Sequence, residues 1–319
     1  MRFSVIIPLY NKALYVAKAI ESVLSQTCTD FELVIVDDGS NDNSAGIAAQ
    51  AIEDRANCCL VKQGNQGVSM ARNNGAAFSK GEYLCFLDAD DWWDPTFLEE
   101  MSRFIDEFPE AGIYGTNYTI INETKHKTRV AKIGVEEGFE KGYINYCQAY
   151  TKTMYMPLWT GAVCIPRIVF DEMQGFPQGI KLGEDFLLWV HIALKHKVVL
   201  LNKSLAFYNQ DLDPNKRSVG KLYKPQEHML WNLKDLEPLE AENENFKCLV
   251  DALRVTGLMP YFLSKTYRSM AQTELNKVDW SKQLKKYQKL YKQPVAWLKL
   301  KYGFRRIGSQ VKTKLLSLK

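Results

Sequence analysis

Two clusters of acidic residues each follow an apolar run, and such clusters are suited to binding a divalent cation. Asp37 and Asp38 come after the run 31–36, and the acids of segment 88–91 come after the run 82–87. Carboxylates gathered in one cleft repel one another, so a positive charge is expected between them. Oxygen ligands favour Mg²⁺ or Mn²⁺ over zinc, and magnesium is usually held by one or two carboxylates plus substrate phosphates. The clusters therefore predict a phosphorylated substrate, although a single acidic pair also suits a solvated loop or a helix cap.

A glycine-containing loop lies between the two acidic clusters in the sequence. Gly64 and Gly67 permit a tight turn, and a helix is predicted to begin near residue 68. The N-terminus of a helix can bind an anion, because its first backbone N–H groups have no partner within the helix. Arg72, one turn into this helix, is placed to reach a diphosphate or a base. An ordinary surface arginine is the alternative.

The first part of the chain alternates strand and helix signals, which predicts an α/β fold with a parallel sheet. Apolar runs mark the strands, and apolar residues at helical spacing mark the helices between them. The predicted strands are 5–7, 31–36, 58–62 and 82–87, and the predicted helices are 14–25, 44–54 and 68–78. Such alternation implies right-handed crossovers. Ligands of open parallel sheets bind beyond the carboxyl ends of the strands, which is where both acidic clusters fall.

The rest of the chain is less regular. Residues 113–121 and 128–133 are predicted to form a hairpin or two separate strands; further on we predict a helix at 140–150, a strand at 159–165, a helix at 184–195 and a strand at 198–201. Beyond this the pattern is helical. We therefore predict two domains, 1–220 and 221–319.

Composition and charge limit the classes of protein to consider. The 319 residues are 46% hydrophobic and 24% charged, which is typical of a globular protein. No apolar run approaches the roughly 18 residues of a membrane span, and the short apolar stretch before Pro8 does not resemble a signal peptide. We therefore expect a cytoplasmic protein. Residues 277–319 hold thirteen Lys and Arg and one acid, a net charge of +12, which leaves −8 of the overall +4 on residues 1–276.

Six short motifs in a fixed order give the chain a family resemblance. They are Ser4 to Asn11, Val36 to Ser40, Gly67 to Gly75, Phe86 to Asp91, Gly175-Phe176 and Gly183-Glu184-Asp185. The sequence resembles a family 2 glycosyltransferase of the GT-A fold over about residues 3–210. The resemblance implies a Rossmann-like, mostly parallel nucleotide-sugar-binding domain followed by a smaller helical region. It also implies inverting, hexosyl-type transfer from a nucleotide-diphosphate sugar to a glycan or lipid-linked glycan acceptor, and a UDP-linked donor is expected.

The resemblance also assigns roles to donor-site residues. The nucleotide-binding residues that it implies are Pro8, Tyr10, Asn11, Asp38, Gly67, Arg72, Asp88 and Ala89. Asp38 is similar to the carboxylate that accepts the uracil N3–H, and Arg72 to the arginine near the uracil and diphosphate. Asp88-Ala89-Asp90 looks like the D-x-D motif. Its Asp90 would bind Mn²⁺ or Mg²⁺, and Asp88 would face the ribose or the waters of the metal.

The catalytic base is assigned in the same way. Asp185 resembles the family's base, which takes the proton of the acceptor hydroxyl, and Glu184 is the second choice. Acids at a helix N-terminus, stabilised by the helix dipole, are the alternative. The Gln-x-x-Arg-Trp motif of processive synthases is absent, which favours transfer of one sugar per encounter.

Four aromatic or polar positions could contact a sugar. Trp92 and Trp93 could stack on a sugar ring or pack beneath the loop that carries them. Trp159 and Thr160 could line the acceptor side.

The basic C-terminal segment could bind an anionic membrane surface. Leu284, Tyr287, Leu290 and Tyr291 share one helical face among lysines, and Trp297 lies among further basic residues. A basic helix with aromatic residues can lie on a bilayer, which would place the protein peripherally on the inner face of the membrane. A helix packed on its own domain is the alternative. The acidic body and the lack of a recognition motif argue against a nucleic-acid partner.

Two other functions fit part of the pattern. An aspartyl-nucleophile phosphatase or phosphotransferase could use Asp88-x-Asp90 but needs a nearby lysine, and none is evident from the sequence. An inactive sugar-nucleotide-binding protein would not need Asp90 and Asp185. Synthesis of bacterial capsular or other surface polysaccharide, lipopolysaccharide or glycolipid is the expected setting of the transferase.

Overall fold

The computed structural model describes residues 1–210 and 222–300. The chain divides into two compact units, Met1–Leu236 and Glu237–Lys319. The predicted boundary at residue 220 lies outside the described residues, as does the end of the basic segment, 301–319.

Among the described residues, the first unit contains all the strands and seven α-helices. The strands are β1 (Phe3–Leu9), β2 (Phe31–Asp37), β3 (Cys58–Lys62), β4 (Tyr83–Phe86), β5 (Trp92–Trp93), β6 (Ala111–Asn122), β7 (Lys127–Val130), β8 (Lys141–Ile144), β9 (Val163–Pro166) and β10 (Lys197–Asn209). The helices are α1 (Val16–Leu24), α2 (Ser44–Ala51), α3 (Val68–Phe78), α4 (Phe97–Glu107), α5 (Tyr146–Thr153), α6 (Arg167–Glu172) and α7 (Glu184–Lys195).

One sheet is parallel in its first half and mixed beyond it. Its strand order is β3-β2-β1-β4-β9-β6-β10-β5, and the first four strands are parallel. Strand β9 lies antiparallel between β4 and β6, whereas β10 runs parallel to β6. The predicted α/β class and parallel N-terminal half are confirmed.

Strand β1 is buried as a central parallel strand should be. Val5, Ile6 and Ile7 have no exposed surface, and each such side chain contributes roughly 1.5–3 kcal/mol on burial. Helix α3 approaches β1 closely at Gly75, where a Cβ would lie 2.4 Å from Cγ2 of Ile6. This contact sets the position of α3, and α3 carries Arg72.

The sequence-based bounds need correction in the middle of the chain. The prediction of a helix over 140–150 is wrong for its first residues, because Lys141–Ile144 is strand β8, paired antiparallel with β10. The strand predicted at 159–165 begins only at Val163, after a 3₁₀ turn. Strand β10 extends well past the predicted 198–201, because β6 and β5 continue to pair with it. Between the two arrangements left open for 113–133, the hairpin is correct, since β7 pairs antiparallel with β6.

The second unit is helical in the residues described, as predicted. Its helices are α8 (Glu237–Glu242), α9 (Glu244–Gly257), α10 (Met259–Leu263), α11 (Arg268–Asn276) and α12 (Lys285–Tyr291). Arg254 of α9 is buried and pairs with Glu240 (2.6 Å) and Glu274 (3.2 Å). Such a buried cation depends on these partners, because leaving it unpaired would cost several kcal/mol. Within the described residues, no helix combines the length and the apolar character that crossing a membrane requires.

Candidate active site

The ends of β1, β2 and β4 meet at one edge of the sheet. The backbone N–H of Asp38 donates to the carbonyl of Leu9 (2.8 Å), and the N–H of Leu87 donates to the carbonyl of Ile6 (3.0 Å). The segments that follow these parallel strands carry both predicted acidic clusters. They therefore lie along the same edge, as the strand alternation predicted.

The loop after β1 is fixed to the loop after β2. Asn11 adopts a left-handed backbone conformation (φ 51°), which is uncommon for a residue other than glycine. Its N–H donates to Oγ of Ser40 (3.1 Å), and its Oδ1 accepts from the N–H of Asn41 (2.8 Å). The predicted nucleotide-binding residues of this loop are therefore held in one conformation, with Tyr10 exposed and Pro8 at the strand end.

Asp38 orders the glycine-containing loop. Its carboxylate accepts hydrogen bonds from Nε2 of Gln63 (2.7 Å) and from the backbone N–H groups of Gln66 (2.7 Å) and Gly67 (2.8 Å). Gly67 has a φ of 89° and directly precedes α3, a conformation that favours glycine. In the structure, Asp38 binds the glycine-containing loop. The contact of Asp38 with uracil stays a prediction.

Arg72 joins the second acidic cluster to α7. Its NH2 donates to Oδ1 of Asp88 (2.7 Å) and its NH1 donates to Oε1 of Glu184 (2.9 Å). The guanidinium is buried and lies 5.0 Å from the ring centroid of Phe176. The carboxylates of Asp88 and Glu184 hold the pKa of Arg72 above its usual value, although burial alone would lower it. Residues 112 positions apart in sequence are thereby brought into one cluster.

The two remaining acids of segment 88–91 have different partners, while Ala89 between them is buried. Oδ2 of Asp90 lies 2.6 Å from Nζ of Lys12. Asp91 is buried and accepts the backbone N–H of Asn209 (2.7 Å), which fastens the segment to β10. Burial raises the pKa of Asp90, and the Lys12 ammonium acts in the opposite direction. Burial, and after it the Asp90 carboxylate, raises the pKa of Asp91.

Glu184 and Asp185 form the first turn of α7. Gly183 precedes them in a left-handed conformation (φ 84°). Oδ2 of Asp185 accepts from the hydroxyl of Thr160 (3.0 Å), and its Oδ1 accepts from the N–H of Phe186 (2.7 Å). Burial raises the pKa of Asp185, and the Arg72 cation opposes that effect most strongly. Burial and the neighbouring Asp185 raise the pKa of Glu184 to about 7 despite its contact with Arg72.

Tyrosines and a tryptophan surround this pair of acids. The ring centroids of Tyr118 and Trp159 are 5.1 Å apart, and those of Trp159 and Tyr208 are 5.0 Å apart. The Tyr146 hydroxyl is buried without a hydrogen-bond partner among the described residues. Burial raises the pKa of Tyr146, and the charge of Asp185 adds to this effect. Trp159 thus belongs to an aromatic wall, and its neighbour Thr160 contacts Asp185; their predicted place on the acceptor side stays a prediction.

Trp92 and Trp93 pack beneath their loop. Trp93 is buried, stacks on Phe97 (4.1 Å) and donates its Nε1–H to the carbonyl of Gly161 (2.6 Å). Trp92 stacks on Phe207 (5.7 Å), and the Lys18 ammonium covers its ring. The packing interpretation therefore holds for both residues.

The carboxylates at this edge suit a divalent cation that a substrate phosphate would also ligate. In residues 1–210 and 222–300, no group of three or more His, Cys, Asp and Glu side chains is arranged to hold a metal ion alone. Asp88 and Asp90 supply two carboxylates, and Mg²⁺ is usually held by one or two carboxylates plus substrate phosphates. The Lys12 ammonium at Asp90 demonstrates that this position accepts a positive charge. The residues therefore fit Mn²⁺ or Mg²⁺ completed by a diphosphate.

Lys12 was not identified from the sequence, because nothing in the sequence around it indicates that it pairs with Asp90. Thr160 was placed on the acceptor side, but its hydrogen bond to Asp185 was not foreseen. Both contacts join residues that are distant in sequence.

Comparison with known proteins gives a consistent result. The family model described as glycosyl transferase family 2 matches residues 4–165. An uncharacterized glycosyltransferase of Rickettsia felis is 35% identical over 226 residues, which are 69% of this chain and 36% of that protein. The chain thus spans about a third of the length of this relative.

Two solved structures share the fold. The crystal structure of S. aureus TarS 1-349 in complex with UDP-GlcNAc matches with a TM-score of 0.68 at 20% identity, over 87% of this chain and 79% of that one. A mannosyltransferase of Pyrobaculum calidifontis in complex with GDP-Man and Mn²⁺ matches with a TM-score of 0.55 at 17% identity, over 86% and 85%. The predicted GT-A fold is therefore confirmed.

Proposed function

The chain belongs to glycosyl transferase family 2, and on that premise we propose that it transfers one hexosyl-type sugar from a nucleotide-diphosphate sugar to an acceptor hydroxyl, with inversion. The donor is proposed to be UDP-linked. The observation that carries the proposal is the placement of Arg72 between Asp88 and Glu184 (2.7 and 2.9 Å). This contact links the acids proposed to hold the metal of the donor diphosphate, at 88–91, to the acids proposed to act on the acceptor, at the start of α7.

On the donor side, the proposal assigns the nucleotide to the edge formed by the loops after β1 and β2. Tyr10 is exposed there, and Asn11 and Asp38 fix the two loops that would border the base. The TarS complex with UDP-GlcNAc and the same fold support a uridine nucleotide. Arg72, whose cation is buried, would hold Asp88 in position for the ribose or for a metal-bound water.

Mn²⁺ or Mg²⁺ would be held by Asp90 and Asp88. When bound, it would neutralise the negative charge of the departing diphosphate, which is Lewis-acid assistance to the leaving group. The mannosyltransferase of the same fold holds Mn²⁺ together with GDP-Man, which supports this assignment.

Asp185 is proposed as the general base, with Glu184 as the second choice. Glu184 is 2.9 Å from the Arg72 guanidinium, and this ion pair engages its carboxylate even though burial and Asp185 raise its pKa overall. Asp185 is oriented by Thr160 and by a backbone N–H, as a base must be to accept a proton from a positioned hydroxyl. The aromatic wall around Trp159 is suited to the sugar ring of a glycan or lipid-linked glycan.

We also propose that the enzyme works in bacterial surface polysaccharide or glycolipid synthesis at the inner face of the membrane. Leu284, Trp297 and Leu300 are exposed among lysines of the second unit. Tyr291 is not free for a bilayer, because its ring packs on Phe262 (5.3 Å) and Trp280 (5.7 Å). Only part of the predicted helical face is therefore offered to a membrane.

A thermal-unfolding experiment with the full chain tests the proposal. UDP with Mn²⁺ should raise the melting temperature by about 5–10 °C at a hundred times the dissociation constant. Asp90→Ala should abolish the metal-dependent part, whereas Asp30→Ala, a change at an exposed residue before β2, should not. A screen of nucleotide-sugars for metal-dependent release of the nucleoside diphosphate then identifies the donor. Absence of a shift with every nucleotide would refute the proposal.

The phosphatase alternative gains one feature, because Lys12 supplies a lysine at Asp90 that the sequence had not indicated. Family membership nevertheless favours glycosyl transfer. A covalent phospho-enzyme trapped on Asp88 or Asp90 would reverse that choice, and nucleotide-sugar binding without any transfer by the wild type would favour the inactive binding protein.

A further inference from the structure

The carboxylate proposed to hold the metal is already paired with a cation from the chain. Nζ of Lys12 lies 2.6 Å from Oδ2 of Asp90, across 78 residues of sequence. The side chains are 28% and 10% exposed, respectively. The pair is thus shielded from water on most sides, where the attraction between charges is stronger than at the surface.

The backbone holds Lys12 in this place. Its N–H donates to Oγ of Ser44 (2.7 Å), and the N–H of Ala13 donates to Oδ2 of Asp42 (3.2 Å). The preceding residue, Asn11, is fixed in its left-handed conformation by its own two hydrogen bonds. The lysine therefore extends from a rigid loop, and its contact with Asp90 follows from the fold.

A lysine and a divalent cation cannot share one carboxylate oxygen without repulsion. Arg72 neutralises Asp88, whereas Asp90 has Lys12 as its cation and Asp91 as its neighbour in the chain, so Asp90 needs a positive charge of its own when no metal is bound. A divalent ion that takes Oδ2 of Asp90 displaces the ammonium from that oxygen. The displaced lysine then stands next to the site at which a diphosphate would complete the coordination, and lysine binds phosphate well as a point charge.

We propose that Lys12 is an exchangeable counter-ion, which neutralises Asp90 in the metal-free protein and moves to the nucleoside diphosphate when a divalent ion takes Asp90. The inference rests on the proposed function and deepens it, since it assigns a donor-binding residue. If the inference is correct, one substitution of Lys12 should change the affinity for metal and the affinity for the diphosphate in opposite directions. Removal of the ammonium should strengthen the binding of metal alone and weaken the binding of the diphosphate.

The test measures two dissociation constants with the full chain. Mn²⁺ binding without nucleotide is followed by the electron paramagnetic resonance signal of free Mn²⁺, and UDP binding at saturating Mn²⁺ is followed by calorimetry. Lys12→Met should lower the Kd for Mn²⁺ about fivefold and raise the Kd for UDP about fivefold, as expected for loss of one partly exposed ion pair. Lys12→Arg should remain near the wild type in both. Lys62→Met, which removes an exposed lysine at the end of β3, is the matched control and should change neither constant.

The outcomes separate this inference from the proposed function. If the wild type binds neither Mn²⁺ nor UDP, the proposed function fails and the inference fails with it. If the wild type binds both, but Lys12→Met weakens both or changes neither, Lys12 has a structural role only and the inference is overturned. Circular dichroism of each variant verifies that it is folded.

Discussion

The two neighbouring acids at the start of α7 differ in their partners, and the proposed assignment of the base rests on that difference. Glu184 faces the Arg72 cation, whereas Asp185 accepts a neutral hydroxyl hydrogen bond from Thr160. The ion pair engages the Glu184 carboxylate, which would have to leave Arg72 to accept a proton. Burial raises the pKa of both acids, so the pKa shifts alone do not distinguish them as bases. The local contacts thus favour Asp185 for proton transfer and Glu184 for holding Arg72.

Substitution of the two acids should separate their roles. Asp185→Asn should lower kcat by about 10²–10⁴, the usual contribution of a general base, and leave UDP affinity unchanged. Glu184→Gln should lower kcat less, because it loosens Arg72 without removing the base. Steady-state kinetics with the donor found by screening, together with UDP calorimetry, measures both. If the larger loss of kcat falls on Glu184→Gln, Glu184 is the base.

The pH dependence of the rate offers an independent check on Asp185. A base works in its ionised form, so the rate falls as the pH drops through its pKa. The Thr160 hydroxyl stabilises the ionised form and lowers the pKa of Asp185. Thr160→Val should therefore move the acid limb of the kcat profile to higher pH. Thr27→Val also removes a hydroxyl that donates to a carboxylate, Glu99, but should leave the limb in place. An unmoved limb in Thr160→Val would exclude Asp185 as the titrating base.

Among the elements, α3 connects the stability of the fold to the site. It lies against β1 with Gly75 facing Ile6 and Val36, and it carries Arg72 one turn earlier. Asn73 on the same helix exchanges two hydrogen bonds with the backbone of Phe176, in the segment that leads to α7. The position of this one helix therefore controls the distances from Arg72 to Asp88 and to Glu184.

A methyl group at Gly75 should push α3 away from the sheet. Its Cβ would lie 2.4 Å from Cγ2 of Ile6 and 3.2 Å from Cγ2 of Val36, and overpacking of this kind typically costs about 1–3 kcal/mol. Gly75→Ala should lower the melting temperature accordingly and weaken UDP binding through Arg72. Gly64→Ala is the matched control, since nothing lies within 4 Å of its added Cβ. Equal melting temperatures for the two variants would show that α3 tolerates the displacement.

For the whole molecule, the separation of charge along the chain is the main feature beyond the site. The net charge is −8 over residues 1–276 and +12 over the remainder. Each basic residue near an anionic bilayer contributes about 1 kcal/mol. In the proposed membrane contact, the exposed Trp297 and Leu300 would add apolar area to that attraction.

Vesicle sedimentation tests the membrane proposal. The full chain should bind vesicles that contain anionic phospholipid, bind neutral phosphatidylcholine vesicles weakly, and dissociate as salt is raised. Trp297→Ala combined with Leu300→Ala should reduce binding several-fold by the loss of buried apolar area. Leu14→Ala, which removes a leucine that is 90% exposed in the first unit, should have no effect. Binding that ignores lipid charge would contradict the proposal.

The parallel half of the sheet, and the edge at which its acids meet, could be predicted from the amino-acid sequence. Apolar runs such as 31–36 specify buried strands, and parallel strands place whatever follows them at a common edge. The helix 184–195 was likewise predictable, because apolar residues at helical spacing follow its two leading acids.

The partners of those acids became known only from the folded chain. Lys141–Ile144 is a strand because it pairs with β10. This pairing could not be predicted, because the β propensity of a segment depends on its neighbours in the fold. Arg72 meets Glu184, and Lys12 meets Asp90, because folding brings together groups that lie 112 and 78 residues apart. Charge pairing depends on distance in space, so the sequence could name the charged groups but could not say which of them neutralises which.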